Sequence, residues 1–158
     1  MFLDLLRTSK EECRREILTL LDNLPINVEV KVYLRERILA PQSGDKAAID
    51  WGKLFSVNKQ ELSTCCYYLM ALEDLIIPRK DQPNPEAVNL EVQTKQDFAI
   101  KLLSTGGFKF LFELFRSIDK SSLEKDIIKT KILTLLLKIF SHLFTLKQTS
   151  AFKTAITP

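Results

Sequence analysis

The pattern of apolar and polar positions between residues 96 and 144 predicts three consecutive helices. The first block ends at Gly106-Gly107. The second carries Phe108, Leu111, Phe112, Leu114, Phe115 and Ile118, and the third carries Ile127, Ile128, Ile132, Leu135, Leu136, Ile139, Phe140, Leu143 and Phe144. Spacings of three and four place such residues on one helix face. We therefore expect an all-α fold that is organised around this stretch.

The third block is apolar around most of its circumference. Leu133, Leu137 and Leu146 widen its apolar face, and three lysines supply most of its polar surface. A helix with so little polar surface needs cover on more than one side. Two neighbouring helices do not suffice, so we expect this helix to be docked against a further surface.

Gly106 and Gly107 mark a sharp turn between the first two of these helices. Both residues accept positive φ without a Cβ clash, which lets the chain turn sharply and restart at Phe108. Other helix starts are predicted from capping boxes, in which Ser or Asn precedes Glu by three residues. The pairs that fit are Ser9 with Glu12, Asn58 with Glu61, and Ser121 with Glu124.

The first half of the chain contains one segment that fits either a strand or a helix. Residues 26–32 alternate strictly between apolar and polar, which indicates a half-buried strand. They also fit a helix capped by Asn27. We favour the helix, because no partner strand is visible and a lone strand cannot satisfy its backbone hydrogen bonds. Its inward residues are then Val30, Tyr33, Leu34, Ile38 and Leu39.

Two short aromatic segments each precede a long apolar helix. Trp51 and Phe55 lie before the helix that is predicted to end before Pro78, as Phe112 and Phe115 lie before the third block. This correspondence suggests two degenerate repeats, offset by about sixty residues. We divide the chain into an N-terminal helical part (1–77), a proline-rich linker or loop (78–93), a three-helix repeat (94–147) and a frayed tail (148–158).

Charge is distributed unevenly along the chain. Residues 1–90 hold 12 basic and 14 acidic residues, a net charge of −2, and residues 91–158 hold 11 and 6, a net charge of +5. A basic half suggests binding to nucleic acid or anionic lipid. Lys131 and Lys138 share one helix face and are the candidate interaction residues, but no aromatic residues interleave with them. We favour solvated helix faces and keep anionic binding as the alternative.

The cysteines and the single histidine suggest neither a disulfide framework nor a metal site. Cys13, Cys65 and Cys66 make an odd number of thiols, which indicates a reducing compartment. His142 has no Cys-x-x-Cys pair to complement it, so we expect no metal or cofactor. The chain lacks a signal-peptide pattern and an uncharged apolar run of about 18 residues. We expect a cytoplasmic or nuclear protein without a membrane partner.

No known catalytic motif occurs in the chain. The phosphate-loop, dinucleotide, zinc-protease and serine-hydrolase patterns are all absent. A hydrolase that uses Cys65 or Cys66 is the enzymatic alternative. Both cysteines fall inside a predicted helix, however, and no Asp or Asn adjoins His142 to orient it. We expect core packing for both cysteines and no catalytic residue.

The segment from Leu102 to Phe108, with Leu111, Leu114-Phe115 and the long helix after them, resembles an armadillo repeat. In that family a short helix ends at a glycine pair, a second carries an apolar pattern, and a long third helix packs inside the superhelix. The resemblance covers residues 94–146 and implies an armadillo/HEAT-like α-solenoid segment. The first half fits poorly, since no glycine pair precedes Trp51.

Three segments, Asp50–Phe55, Cys66–Glu73 and Gly106–Leu111, also resemble the non-catalytic helical region of large fat-facets-type ubiquitin-specific proteases. That resemblance implies a fragment of a larger deubiquitinase. The cysteine box of that family is not matched at residues 63–67, which lack the glycine and asparagine of the oxyanion loop, and the histidine box is absent. The chain itself is therefore expected to be non-catalytic.

These features predict a scaffold for protein–protein interaction. A repeat of this kind binds a protein partner, or further repeats of the same chain, through its concave face or its apolar ends. No small-molecule substrate is indicated. The residues that we expect to shape the repeat are Gly106, Gly107, Phe108, Leu111, Phe115, Trp51 and Phe55.

Overall fold

The computed structural model describes residues 2–40, 49–57, 62–78 and 85–147. Every element in these residues is helical, so the all-α prediction is confirmed there. The α-helices are α1 (Phe2–Thr8), α2 (Glu11–Asn23), α3 (Val28–Leu39), α4 (Trp51–Leu54), α5 (Leu62–Ile76), α6 (Pro85–Ser104), α7 (Gly107–Ser117) and α8 (Ile127–Lys147), with a 3-10 helix at Lys120–Lys125.

The fold is organised around α5, which packs against α1, α3, α6 and α8. Apolar side chains lie on several sides of α5, so only neighbours on several sides can remove them from water. Leu69, Leu72 and Ile76 accordingly have no exposed surface. The prediction that residues 96–144 form the centre of the fold is therefore wrong.

The long helix α8 is enclosed largely by its own chain. Helices α2, α5 and α7 and the 3-10 helix all contact it. The expectation of too few neighbours is wrong for most of α8, because α2 packs back from the start of the chain. Only Leu137 and Phe144 are large apolar residues left exposed on α8, each at 56%. The buried ones are Ile128, Ile132, Leu133, Leu135, Leu136, Ile139, Phe140, Leu143 and Leu146.

The alternating segment belongs to α3, so the helical alternative is confirmed. Asn27 caps this helix as predicted, since its side-chain oxygen accepts a hydrogen bond of 2.7 Å from the N–H of Glu29. The residues predicted to point inward are not all buried. Leu34 and Ile38 are buried and Val30 is half-buried, whereas Tyr33 and Leu39 are exposed.

The start of α8 differs from the prediction. Ser121 lies in the 3-10 helix, whose own start is capped by Asp119. The α-helix begins after Asp126, whose carboxylate accepts hydrogen bonds from the N–H groups of Ile128 at 3.1 Å and Lys129 at 3.2 Å. The capping box at Ser121 is thus wrong, because an aspartate nearer the apolar run satisfies the free N–H groups.

The predicted cap of α2 is also wrong. Lys10 holds the cap position and makes no side-chain cap. Ser9 instead follows α1, where its N–H donates a hydrogen bond of 2.9 Å to the carbonyl of Leu5. The third predicted cap, at Asn58, lies outside the described residues.

Helix α6 begins within the segment predicted as a linker. Residues 85–93 are helical, so the linker prediction is wrong for them. Pro85 occupies the first helical position, where proline is favoured because its missing N–H would lack a partner anyway. Residues 79–84 and the predicted frayed tail, 148–158, lie outside the described residues.

Candidate functional site

Three aromatic rings join α4 to α7. The ring centroid of Phe110 lies 5.9 Å from that of Trp51 and 5.3 Å from that of Phe55, which is fully buried. Trp51 Nε1 also donates a hydrogen bond of 3.3 Å to the carbonyl of Thr105. Trp51, Phe55 and Phe110 together form the aromatic seam, which fixes α4 on the turn between α6 and α7.

The two glycines of that turn serve different purposes. Gly106 has a φ of +85°, as predicted, and this left-handed conformation favours glycine. Gly107, by contrast, does not have positive φ. A Cβ at Gly107 would lie 2.5 Å from Leu102 Cδ1 and 2.8 Å from the Leu102 carbonyl oxygen. Gly107 therefore allows the close approach of α7 to the end of α6.

The remaining residues predicted to shape the repeat lie on α7. Leu111 is buried in the core, and Phe115 packs edge-on against Phe140 of α8, with ring centroids 6.0 Å apart. Sequence reasoning missed Phe110. The sequence contained a signal for it, because Phe110 lies two residues after Phe108 and therefore on the opposite face of the helix.

An exposed cluster of apolar side chains lies where α7 meets α8. The Phe108 ring stacks on Phe112 at 6.3 Å and meets Phe144 edge-on at 6.1 Å. Phe112 is 46% exposed, and Leu137 and Phe144 are more so. Leu137 lies two turns before Phe144 and so shares its helix face. Phe108, Phe112, Leu137 and Phe144 together form the aromatic surface.

Two cations flank the aromatic surface along α7. Lys109 and Arg116 lie three residues before and four residues after Phe112, which places all three side chains on one face of the helix. The Lys109 side chain is 82% exposed, and its nearest carboxylate, Glu113, is 4.0 Å away. Arg116 is exposed and has no ion pair within the described residues. The aromatic surface is therefore apolar at its centre and basic along its edge.

The two lysines predicted as interaction residues both pair with other helices. Lys131 Nζ lies 2.7 Å from Asp22 Oδ2 of α2, and Lys138 Nζ lies 3.2 Å from Glu73 Oε1 of α5. Lys131 is also largely shielded, with 17% of its side chain exposed. An external anion would have to compete with these carboxylates, so their pairing favours a role for the lysines in attaching α8.

Cys65 and Cys66 lie in the core of α5 with no exposed surface. Burial raises the pKa of each thiol to about 12, because the thiolate would lose its hydration. A catalytic cysteine requires the opposite shift, toward a thiolate at neutral pH. Cys13, by contrast, is exposed on α2.

We predict that iodoacetamide labels one thiol of the native protein at pH 7.5 and all three after denaturation. Cys13 should react quickly, whereas Cys65 and Cys66 should react only at the rate of unfolding. Peptide mass spectrometry over a time course distinguishes the sites, and Cys13 serves as the internal control. Fast labelling of Cys65 in the folded state would instead support a nucleophilic role.

Burial lowers the pKa of His142, the histidine of α8. The ring is half-buried, and desolvation together with the nearby positive charge of Lys95 lowers its pKa. A hydrogen bond with the backbone of Ile76 acts in the opposite direction without cancelling the shift. Its Nε2 atom is buried and has no hydrogen-bond partner. The folded protein therefore favours the neutral imidazole.

We predict that stability falls as the pH is lowered from 7.5 to 5.5. The unfolded chain protonates His142 near its ordinary pKa of about 6.5, before the folded chain does, so stability is complete above that pH and declines below it. One proton gives a slope of at most about 1.4 kcal/mol per pH unit. Urea unfolding at several pH values measures it, and His142→Gln should remove most of the dependence. An unchanged slope in that variant contradicts the assignment.

A second surface feature is an open groove of about 700 Å³ between α3 and α6. Two of the three cations that line it are already paired, Lys31 with Asp74 at 2.9 Å and Lys95 with Glu91 at 2.8 Å. The groove thus offers less free charge and fewer aromatic rings than the aromatic surface, which we take as the candidate site. Its apolar lining residues include Val28, Val32, Leu75, Leu90 and Phe98.

Comparison of the chain with protein-family models, curated proteins and solved structures finds no match. Within the described ranges, none of the helices has the length and apolar character needed to cross a membrane. The same residues contain no group of three or more His, Cys, Asp or Glu side chains arranged to hold a metal ion.

Proposed function

We propose that this protein is a non-catalytic helical-repeat scaffold that binds another protein through the aromatic surface. The exposure of Phe112, Leu137 and Phe144 beside Phe108 is the observation that carries the proposal. Exposed apolar side chains that lie together are typical of protein-interaction sites. Aromatic residues supply much of the binding energy at such sites, because they bury a large area at low entropic cost.

The order of the helices supports a repeat. Helices α3, α4 and α5 are followed by α6, α7 and α8, and like helices touch: α3 contacts α6, α4 contacts α7, and α5 contacts α8. Contact between like helices of adjacent units is what a stacked solenoid requires. We infer two armadillo-like units, α3–α5 and α6–α8, with α1 packed on α5 and α2 packed on α8.

Stacking accounts for the position of the aromatic surface. Helix α7 turns Phe110 toward the first unit, where the aromatic seam covers it. It presents Phe112 on the opposite side, where a further unit or a partner protein would lie. The scaffold function and the repeat therefore have a common basis in the two faces of α7.

The resemblance to fat-facets-type ubiquitin-specific proteases extends the proposal to a larger deubiquitinase, of which this chain would be a non-catalytic part. The burial of Cys65 and Cys66 agrees with that assignment. Coding sequence that continues into a cysteine box and a histidine box would support this parentage. Flanking sequence that lacks both boxes would remove it without affecting the scaffold proposal.

Site-specific photo-crosslinking in cells tests the scaffold proposal. The photoreactive residue p-benzoylphenylalanine is placed at Phe112, and at Leu20 of α2, which is 54% exposed, as the matched control. We expect discrete protein adducts from position 112 that are absent from position 20. The same adducts from both positions, or adducts to nucleic acid or lipid alone, contradict the proposal.

A further inference from the structure

We propose that the partner at the aromatic surface is an amphipathic helix of another protein, which seats an aromatic side chain against the Phe108–Phe112 ring pair and carries acidic residues beside it. The motivating precedent lies within the chain, where Phe110 sits against the Trp51–Phe55 pair. The inference rests on the scaffold function proposed above, and it adds the chemistry of the partner.

The two ring pairs have the same construction. Trp51 and Phe55 are four residues apart, as are Phe108 and Phe112. The ring centroids of the first pair are 6.4 Å apart with an interplanar angle of 29°, and those of the second are 6.3 Å apart at 12°. Each pair begins at or next to the first residue of its helix, α4 or α7. The second pair therefore repeats the first in spacing, stacking and place.

Each ring pair is also backed by aromatic side chains from the third helix of its own unit. In the first unit Tyr68 of α5 meets Phe55 edge-on at 6.4 Å. In the second unit Phe140 and Phe144 of α8 meet Phe108 edge-on at 5.5 Å and 6.1 Å. Edge-to-face contact of this kind is the favoured geometry for aromatic rings, and it holds the pair in place before any partner arrives.

The two pairs differ in occupancy. The seat of the first pair is filled by Phe110, and Phe55 has no exposed surface as a result. Within the described residues no ring of a further helix covers Phe112, which keeps 46% of its surface in contact with water. The structure thus repeats a ring seat that it fills once and leaves open once, which indicates an aromatic side chain as the missing occupant.

The charges beside the open seat specify the rest of the partner. Lys109 and Arg116 lie on the same face of α7 as Phe112, one turn away on either side. Within the described residues Arg116 has no ion pair, and the ion pair of Lys109 with Glu113, one turn along the same helix, is long at 4.0 Å and joins two exposed side chains. Acidic side chains about one turn before and one turn after the aromatic residue of a partner helix would complement both Lys109 and Arg116. The partner helix is therefore acidic on either side of its aromatic residue.

Selection from a phage-displayed library of helical peptides, against the whole immobilised chain, tests this inference. In these peptides the residues on one helix face are randomised, and the residues on the opposite, solvent-facing side are kept constant. We expect the enriched peptides to hold one aromatic residue with Asp or Glu within about a turn on each side. Enriched sequences without an aromatic residue would overturn the inference.

Calorimetric titration of one enriched peptide then locates its site. Phe112→Ser should weaken binding by about tenfold or more, whereas Leu20→Ser, which removes a similarly exposed apolar side chain from α2, should leave it within about twofold. The pair Lys109→Glu with Arg116→Glu should also weaken binding, without disturbing the rings. Circular dichroism and Trp51 emission check that each variant is folded.

The possible failures can be told apart. Peptides that bind equally well to the Phe112→Ser variant occupy another site, such as the groove between α3 and α6, and they overturn this inference alone. Binding to anionic lipid vesicles that requires Phe112, in place of peptide binding, overturns it as well. The absence of both enriched peptides and crosslinked proteins overturns the inference and the proposed function together.

Discussion

Replacing Phe55 by alanine should lower the free energy of unfolding by about 3–5 kcal/mol, the range for a buried phenylalanine. Phe55 is fully buried and contacts Trp51, Phe110 and Tyr68, so it touches α4, α7 and α5 together. The truncation leaves a cavity among rings that cannot collapse into it. Urea denaturation followed by circular dichroism and by the emission of Trp51, the single tryptophan, measures the loss.

A double-mutant cycle separates the ring contact from burial alone. Phe55→Ala and Phe110→Ala are made alone and together, and the double variant should lose about 0.5–1.5 kcal/mol less stability than the sum of the two single losses, a difference that is the coupling energy of the ring pair. Leu20→Ala is the control, and it should change stability by no more than about 0.5 kcal/mol, because Leu20 is 54% exposed. A loss below about 1 kcal/mol for Phe55→Ala would contradict the aromatic seam.

Replacing Gly107 by alanine should lower the free energy of unfolding by about 1–3 kcal/mol, the usual cost of overpacking. The new methyl group would lie 2.5 Å from Leu102 Cδ1 and 2.8 Å from the Leu102 carbonyl oxygen. A rotamer change of Leu102 relieves the first clash, but only a backbone shift relieves the second. Thermal unfolding followed by circular dichroism measures the effect.

The other glycines of the described chain provide matched controls. Gly52→Ala should be neutral or slightly stabilising, because the nearest atom to its added methyl group is 3.6 Å away and alanine favours a helix. Gly106→Ala should cost about 1 kcal/mol from its positive φ, and Gly106→Asn should cost less. A Gly107→Ala loss no larger than that of Gly52→Ala would contradict the close approach of α6 and α7.

The sequence predicted several features of the fold that depend on local interactions. The helix at residues 28–39, its cap at Asn27 and the left-handed turn at Gly106 each follow from backbone geometry and near neighbours. The sequence also suggested that the short aromatic segment with Trp51 and Phe55 corresponds to a later one with Phe112 and Phe115. In the structure Phe112 stacks on Phe108.

Features that depend on distant parts of the chain could not be predicted in the same way. The central position of α5 and the cover that α2 gives α8 arise from packing between residues far apart in sequence. The sequence around Lys131 is the same whether its side chain faces water or pairs with Asp22. The 2.7 Å contact between Lys131 and Asp22 exists only in the folded chain. Phe110 was missed because the sequence already predicted one buried face for α7, which contains its leucines, and Phe110 does not lie on that face.

The candidate site was predictable only in part. Phe108, Leu137 and Phe144 were each recognised as apolar, but the pattern alone indicated burial for all of them. Which of them stay exposed depends on how far α2, α5 and α7 extend over α8. The sequence therefore indicated that part of α8 is left for a partner, and the packing reduced that part to Leu137 and Phe144, which lie beside Phe108 and Phe112 of α7.

Nuclear magnetic resonance of the isotope-labelled chain, with one selected peptide bound, tests most directly whether the second ring pair is a binding seat. We predict contacts between the peptide's aromatic protons and the rings of Phe108 and Phe112, with shifts at the Leu137 methyl groups. The residues around the groove between α3 and α6 should stay unchanged. Contacts confined to that groove, or no contact with either ring, would contradict the proposed seat.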